Sequence, residues 1–456
     1  MDVQDDGHIR TGTLWTAIAH AITATIGSGV LSLPWSVAQL GWIIGGFVLV
    51  FFAIVTYYTA ILLCDCYRSP DPVNGKRNHT YKDAVRACLG AREVLLCSIV
   101  QYAILWGSMI GYTVTTATSM ATVKRAHCFH SKGNGARCNV SGTLLMILFG
   151  TIEIILSQFP NLEKVTLLSY IAALTSFSYS FISSYLCIEK VASHPKLRGS
   201  LMNLDISAGI TPATKVFRYF QALGNIAFAY TYNMLLLEIQ DTLKSPPSEN
   251  KTMKKASRYA VGTTTMFYTT LGCMGYLAFG NNAPGNILTG FFEPFWLVDT
   301  ANISVIIHLI AAYQVYAQPI YCIHEKWLAT KFPNTGFFTK VYTLKSPCSN
   351  HNFQFTLMKL LLRPAFIICT TFVAMLFPFF NAILGLLGAL SFFPLTVYFP
   401  VNMYIVQAKI KRGSTKWKFM QSLSMICLAV TLVAGIGSVA DIVDRLKHAS
   451  LFKVEL

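Results

Sequence analysis

Charge is scarce in this 456-residue chain. Asp, Glu, Lys and Arg make up 12% of it, against 54% apolar residues; a soluble domain carries roughly 25% charge. Positive charge is absent from eleven apolar runs, at 13–39, 41–63, 94–120, 142–158, 165–188, 219–239, 259–279, 299–323, 364–380, 383–405 and 419–440. None holds a lysine or arginine, although the chain has 36. A cation at the bilayer centre is costly, and about 20 apolar residues span the hydrocarbon layer. The runs therefore read as transmembrane helices with no room for a large soluble domain. The first run is too long, and lacks the basic flank, for a cleavable signal peptide. Also missing are a phosphate loop, a dinucleotide fingerprint, metal-ligand spacing and a catalytic triad. Their absence argues against an enzyme and leaves no catalytic or metal residue to assign.

The net charge of +16 could suggest a nucleic-acid partner, but its distribution points to the lipid bilayer instead. With the N-terminus cytoplasmic, the inside segments hold 24 Lys and Arg and the outside segments 12, as the positive-inside rule requires. An odd number of spans then places the C-terminus outside. Cys128 and Cys138 share one outside loop, where a disulfide is favoured. A metal pair with His127 and His130 is the open alternative there.

Glycine sits where a plain spanning helix has no use for it. The first run is interrupted by Ile26-Gly27-Ser28-Gly29-Val30, and each helical glycine costs roughly 1 kcal/mol against alanine. Unwound backbone at that depth is tolerated only when it is buried in protein or lines a cavity. The sixth run carries Gly224-Asn225 ahead of Ala227-Phe228-Ala229-Tyr230, and we expect a second break there. Two interrupted helices in corresponding positions point to an inverted repeat with a midplane site. The expected architecture is all-α: eleven transmembrane helices in a 5+5 repeat with helices 1 and 6 discontinuous, plus one extra C-terminal helix. Its segments are a cytoplasmic N-terminus (1–12), a first repeat (13–188), an extracellular connector (189–218), a second repeat (219–405) and a C-terminal part (406–456).

Such breaks suit a small zwitterion. The amides of Ser28, Gly29 and Val30 open a half-helix and favour a carboxylate. Carbonyls ending the first half-helix, and those of Ala227 and Phe228, would accept from an ammonium. Asn225, Phe228 and Tyr230 would shape the pocket, and Ile26 and Gly27 complete it. Five side chains inside the runs ordinarily titrate between acid and neutral pH: His20, Glu153, Glu238, Asp299 and His308. An ionisable group within a membrane is a functional candidate by default, and His308, His20 and Glu153 are the candidates for proton coupling. Glu238 and Asp299 stand near run ends, where contact with water or a loop accounts for them.

Several longer strings resemble the plant amino acid permeases. Among them are Gly12-Thr13-Leu14-Trp15-Thr16-Ala17-Ile18-Ala19-His20 leading into Ile26-Gly27-Ser28-Gly29-Val30, and Glu238-Ile239-Gln240-Asp241-Thr242. Gly275-Tyr276-Leu277-Ala278-Phe279-Gly280 and Ala312-Tyr313-Gln314-Val315-Tyr316-Ala317-Gln318-Pro319 continue the match, which runs from about residue 11 to 440. The resemblance implies a proton-coupled amino acid importer of the amino acid/auxin permease superfamily, with a leucine-transporter-like fold, in a plant plasma membrane. It implies amino acids and protons as ligands, and the proton gradient and membrane potential in place of a cofactor. Relatives usually have aspartate where this chain has Asn225 and glutamate where it has Asn402. The rivals are a carrier of auxin, or one coupled to sodium, on the same fold. From another class, a non-transporting receptor or a channel is the rival.

Overall fold

The computed structural model describes residues 10–133, 138–158, 166–193, 198–203, 211–332, 341–345 and 352–448. The proposed extracellular tail beyond 448, most of the N-terminal segment and parts of the 189–218 connector lie outside the described residues.

In chain order the helices are α1 (Leu14–Thr25), α2 (Leu33–Asp65), α3 (Tyr81–Leu89), α4 (Ala91–Lys132), α5 (Gly142–Ser157), α6 (Thr166–Ser193) and α7 (Pro212–Ala229). They continue with α8 (Leu236–Asp241), α9 (Glu249–Phe279), α10 (Phe295–Lys331), α11 (Leu357–Leu376), α12 (Phe380–Ser391), α13 (Phe399–Gln407) and α14 (Thr415–His448). Among the described residues, seven helical stretches are long and apolar enough to cross a membrane unaided. Interruption keeps other expected spans off that set, and α5, apolar but of only 16 residues, is too short for it. The first span is α1, a 3-10 turn (Ser28–Ser32) and the start of α2, while the sixth is split between α7 and α8. The first and second spans meet inside α2 at Gly41, whose φ of +81° and ψ of 175° turn the chain between them. A side chain is strained at such a φ, so glycine is the fitting residue.

Two segments between the apolar runs carry structure. Residues 64–92 hold an antiparallel pair, β1 (Arg68–Ser69) with β2 (Lys76–Arg77), followed by α3. The long loop before α11 holds β3 (Val341–Lys345) paired with β4 (Asn352–Thr356).

The chain forms two compact units, interleaved in sequence. The first comprises Met1–Ile104, Ser180–Phe291 and Phe379–Lys447, and the second Leu105–Tyr179, Phe292–Pro378 and His448–Leu456. Each draws on both of the expected repeats.

In the first unit α9 packs along α2 and α1, and α7 lies against α12. The α7–α12 crossing explains Gly224. A Cβ there would stand 2.9 Å from the Gly385 Cα, and one at Gly388 would overlap the Gly224 carbonyl oxygen. Small residues are what let membrane helices approach this closely. The expected break at Gly224 is therefore corrected: α7 runs unbroken through Gly224 and Asn225 to Ala229. Gly224 is a packing contact, and the interruption lies beyond it.

In the second unit α5 packs on α11 and α10. Tyr313 of α10 meets Phe149 of α5 edge-on and shares a 2.7 Å hydrogen bond with Thr370 of α11. Cys128 and Cys138 form the expected disulfide, which leaves no thiolate for the alternative metal pair.

The crossing gives a direct expectation. Gly388→Ala drives a methyl into backbone that cannot yield, and overpacking of even ordinary cores costs about 1–3 kcal/mol. The variant should lose its monodisperse peak in detergent size-exclusion chromatography, while Gly262→Ala, where an added Cβ meets nothing within 4 Å, should keep it.

Candidate functional site

Helix α1 opens at Thr13, whose side chain accepts the Thr16 amide and whose own amide binds the Thr16 hydroxyl. It ends at Thr25. Ile26 and Gly27 then leave helical geometry, with the Gly27 amide turned back to the Thr25 carbonyl (3.0 Å). A 3-10 turn over Ser28–Ser32 leads into α2. The first amides of a helical segment have no acceptor within it; here they are those of Ser28 and Gly29, both in buried residues. A Cβ built on Gly27 would meet nothing within 4 Å. Its φ of −119° and ψ of −160° are open to any residue. Gly27 thus borders free space, and its lack of a side chain preserves that space.

The second break spans Tyr230 to Leu235, between α7 and α8. No glycine or proline marks it. The Thr231 hydroxyl reaches back to the Ala227 carbonyl (2.9 Å), where the Tyr230 amide also binds (3.1 Å). Back-bonding of this kind competes with the helical ladder and bends helices. The Thr231 amide takes the Phe228 carbonyl (3.1 Å). Both carbonyls reserved for a ligand ammonium therefore already hold internal donors, Ala227 two of them. A short 3-10 turn, Asn233–Leu235, then restarts the chain, anchored by Asn233 Nδ2 donating to Thr59 Oγ1 of α2 (3.0 Å).

The two breaks touch. A Cβ on Gly29 would stand 3.0 Å from the Phe228 ring and 3.5 Å from the Ala229 Cα. Tyr268 of α9, fully buried, joins them more firmly. Its hydroxyl lies 2.6 Å from the Thr25 carbonyl and 3.2 Å from that of Ala229, the last residues of α1 and α7. The Tyr230 ring stands edge-on to the Tyr268 ring at 5.3 Å. Tyr268, Thr231 and Asn233 are absent from the sequence reading. A hydroxyl bridging chain positions 243 and 39 residues away leaves no mark in local periodicity.

Of the residues expected at the site, Ile26, Gly27, Ser28, Gly29, Val30, Ala227, Phe228 and Tyr230 gather at these paired breaks. Asn225 does not. It is fully buried and aimed at α12, its Oδ1 3.1 Å from where a Gly385 side chain would begin, and neither amide atom has a hydrogen-bond partner.

The candidate proton carriers fall elsewhere. His20 lies on the exposed face of α1. His308 and Glu153 belong to the second unit. His308 Nδ1 is 3.0 Å from the Ala172 carbonyl and 2.9 Å from Ser176 Oγ, and the carbonyl requires that nitrogen to carry hydrogen. Glu153, with no exposed surface, accepts from Gln314 Nε2 at 2.6 Å, while its Oε1 is buried without a partner. Glu238, expected to meet water or a loop, meets the 64–92 loop: Oε1 takes the Tyr81 amide (3.3 Å), while Oε2 is buried without a partner.

Comparison with known proteins fits this arrangement. The chain is similar to MhsT, solved in complex with L-phenylalanine, with a TM-score of 0.54 at 11% identity over 95% of this chain and all of that one. At that identity the likeness shows the fold alone. It is 50% identical over 452 residues to amino acid permease 4 of Arabidopsis thaliana, covering 98% of this chain and 97% of that protein. It is 51% identical over 454 residues to amino acid permease 8 of the same plant, covering 99% and 95%. The model of the transmembrane amino acid transporter protein family matches residues 10–443, and on that extent the chain belongs to this family.

Proposed function

We propose that the protein is an alternating-access symporter that imports α-amino acids with protons across a plant plasma membrane. The observation that carries this reading is the pair of touching helix breaks bordering open space at Gly27. A substrate carboxylate would sit on the Ser28 and Gly29 amides. Its ammonium would take carbonyl lone pairs of the last turn of α1, and its side chain would face Phe228 and Tyr230. Only the zwitterion is common to all α-amino acids, so a site that reads it with backbone accepts a broad panel.

On this reading the chain has eleven spans as two five-helix repeats with an added last helix. The N-terminus is cytoplasmic, as the basic loops require, and the C-terminus extracellular. The coupling proton rests on Glu153 or His308, both buried and lacking a cationic partner in the contacts described above. His20 is set aside because its ring faces outward. A potential of 100 mV supplies about 2.3 kcal/mol per charge moved, enough with a proton gradient for concentrative uptake. Asn225, packed on α12, bears on helix packing and coupling more than on substrate choice.

The test is uptake of a labelled amino acid panel with simultaneous current recording, at external pH near 5.5 and 7.5, with and without sodium. Saturable uptake with an inward current that grows in acid and ignores sodium is expected. Saturable uptake without current or pH dependence contradicts proton coupling. Glu153→Gln should abolish the acid stimulation if the proton rests there, and His308→Gln if it rests on the imidazole.

Tyr268→Phe removes the donor shared by Thr25 and Ala229 while leaving the ring in place. An unmade buried hydrogen bond costs about 1–3 kcal/mol. Maximal uptake should fall by roughly 5- to 150-fold at unchanged surface expression, as measured by biotinylation.

A further inference from the structure

The last turns of α14 face the first turns of α7 within the first unit. The two helices are in backbone contact at Gly437, where a Cβ would stand 2.5 Å from the Phe217 carbonyl oxygen. Beyond that contact, toward the end of α14, a cavity of about 230 Å³ opens between them. Thr214, Phe217 and Arg218 line it from α7, and Asp441, Asp444 and Lys447 from α14. Residues three or four apart share one helix face, so each set forms a single stripe. The apolar run of α7 starts at 219 and that of α14 ends at 440, so the cleft stands where hydrocarbon gives way to water. On the proposed orientation this is the outer face.

The charges of the cleft are balanced but not paired with one another. Among the described residues, Arg218, Asp444 and Lys447 make no hydrogen bond or ion pair. Asp444 and Lys447 stand three apart on one helix, where opposite charges ordinarily attract, and both line the cleft instead. Asp441 is held by Gln221 Nε2 (3.0 Å) and Arg445 Nε (2.8 Å), both donating to Oδ2. Its Oδ1 has no partner among the described residues, and the side chain is 12% exposed. Arg445 offsets part of the Asp441 charge, which leaves Asp444 the stronger seat for an ammonium.

A simple anion entering the cleft would meet Asp441 and Asp444, and a simple cation would meet Arg218 and Lys447. A molecule that carries both charges meets a complement at each end. The cavity is below the roughly 300 Å³ at which ordinary ligand pockets begin, so the ligand is small. We propose that this cleft binds a small zwitterion, its anionic end on Arg218 and Lys447 and its ammonium on Asp444 and Asp441. Arg218 lies about 16 Å along α7 from Ala229, so the cleft is distinct from the paired breaks. Two sources supply this chemistry at a membrane surface: the head group of an ethanolamine phospholipid and a free amino acid. An occupant ties the start of α7 to the last helix of the chain and stabilises the folded state by mass action.

The test uses the purified full-length protein in nanodiscs of phosphatidylglycerol alone, which offers no ammonium. Phosphoethanolamine, ethanolamine and glycerol phosphate are titrated, and the thermal unfolding midpoint is read. Phosphoethanolamine should raise the midpoint at concentrations at least about threefold lower than either of the others, since each of them forgoes one set of charge pairs. Arg218→Gln and Asp444→Asn should each raise its half-effect concentration roughly 1.5- to 5-fold, the range for exposed charge pairs. The proposal is overturned by an equal response to glycerol phosphate or ethanolamine, by a phosphoethanolamine response that both variants leave unchanged, or by no response at all.

Two further arms separate the sources. If the membrane is the source, nanodiscs with about half the lipid replaced by phosphatidylethanolamine should show the raised midpoint before any phosphoethanolamine is added. If a free amino acid is the source, glycine should raise the midpoint of the Gly27→Leu protein, whose substrate space is filled, and adding Arg218→Gln should weaken that gain. A Gly27→Leu protein that keeps the whole glycine response with Arg218→Gln and Asp444→Asn both added contradicts the substrate site proposed above. The phosphoethanolamine titration then still decides the cleft.

Discussion

One hydroxyl, that of Tyr268, stands 2.6 and 3.2 Å from the terminal carbonyls of two helices that both stop inside the protein. A helix that ends in a membrane interior leaves carbonyls that water cannot reach, and each unmet group costs free energy. Two interrupted helices double that demand. Tyr268 meets part of it for both at once and so holds the breaks together. The contact of Gly29 with Phe228 follows from the same closeness. The broken backbone at Ser28 and Gly29 is kept in place by the surrounding helices α2, α7 and α9.

Around that constraint the first unit is built from close backbone approaches. Gly224, Gly385 and Gly388 bring α7 and α12 nearly into backbone contact, which fixes α7 as far as Ala229. Helix α1 is the exception. It is short, packed mainly on one side, and tied at its start to Asp241 and Leu243 by Arg10 and Gly12.

The sequence made the first break legible because glycine in an apolar run is costly and needs a reason. The second break was legible in its span but placed too early along it. Gly224 drew attention for the same composition, but its reason is the Gly385 backbone, and the real interruption is written in Thr231 and in a tyrosine from another helix. Asn225 was placed at the site by its polarity beside that glycine, whereas its helical position turns it toward α12. Glu153 and His308 could be picked out as ionisable groups in apolar runs, but their partners, Gln314 and the Ala172 carbonyl, could not. The Arg10–Asp241 pair joins residues 231 apart; no local pattern records such a pairing.

The central claim is that the space beside Gly27 receives the substrate. Its most direct test is equilibrium binding of a labelled neutral amino acid to purified protein in nanodiscs, wild type against Gly27→Leu. The backbone at 27 accepts any residue and a Cβ there meets nothing within 4 Å, so the variant should fold and keep its thermal stability. The account predicts that the leucine side chain fills the space and binding is lost. Undiminished binding to a folded Gly27→Leu protein would contradict it and move the substrate site away from the paired breaks.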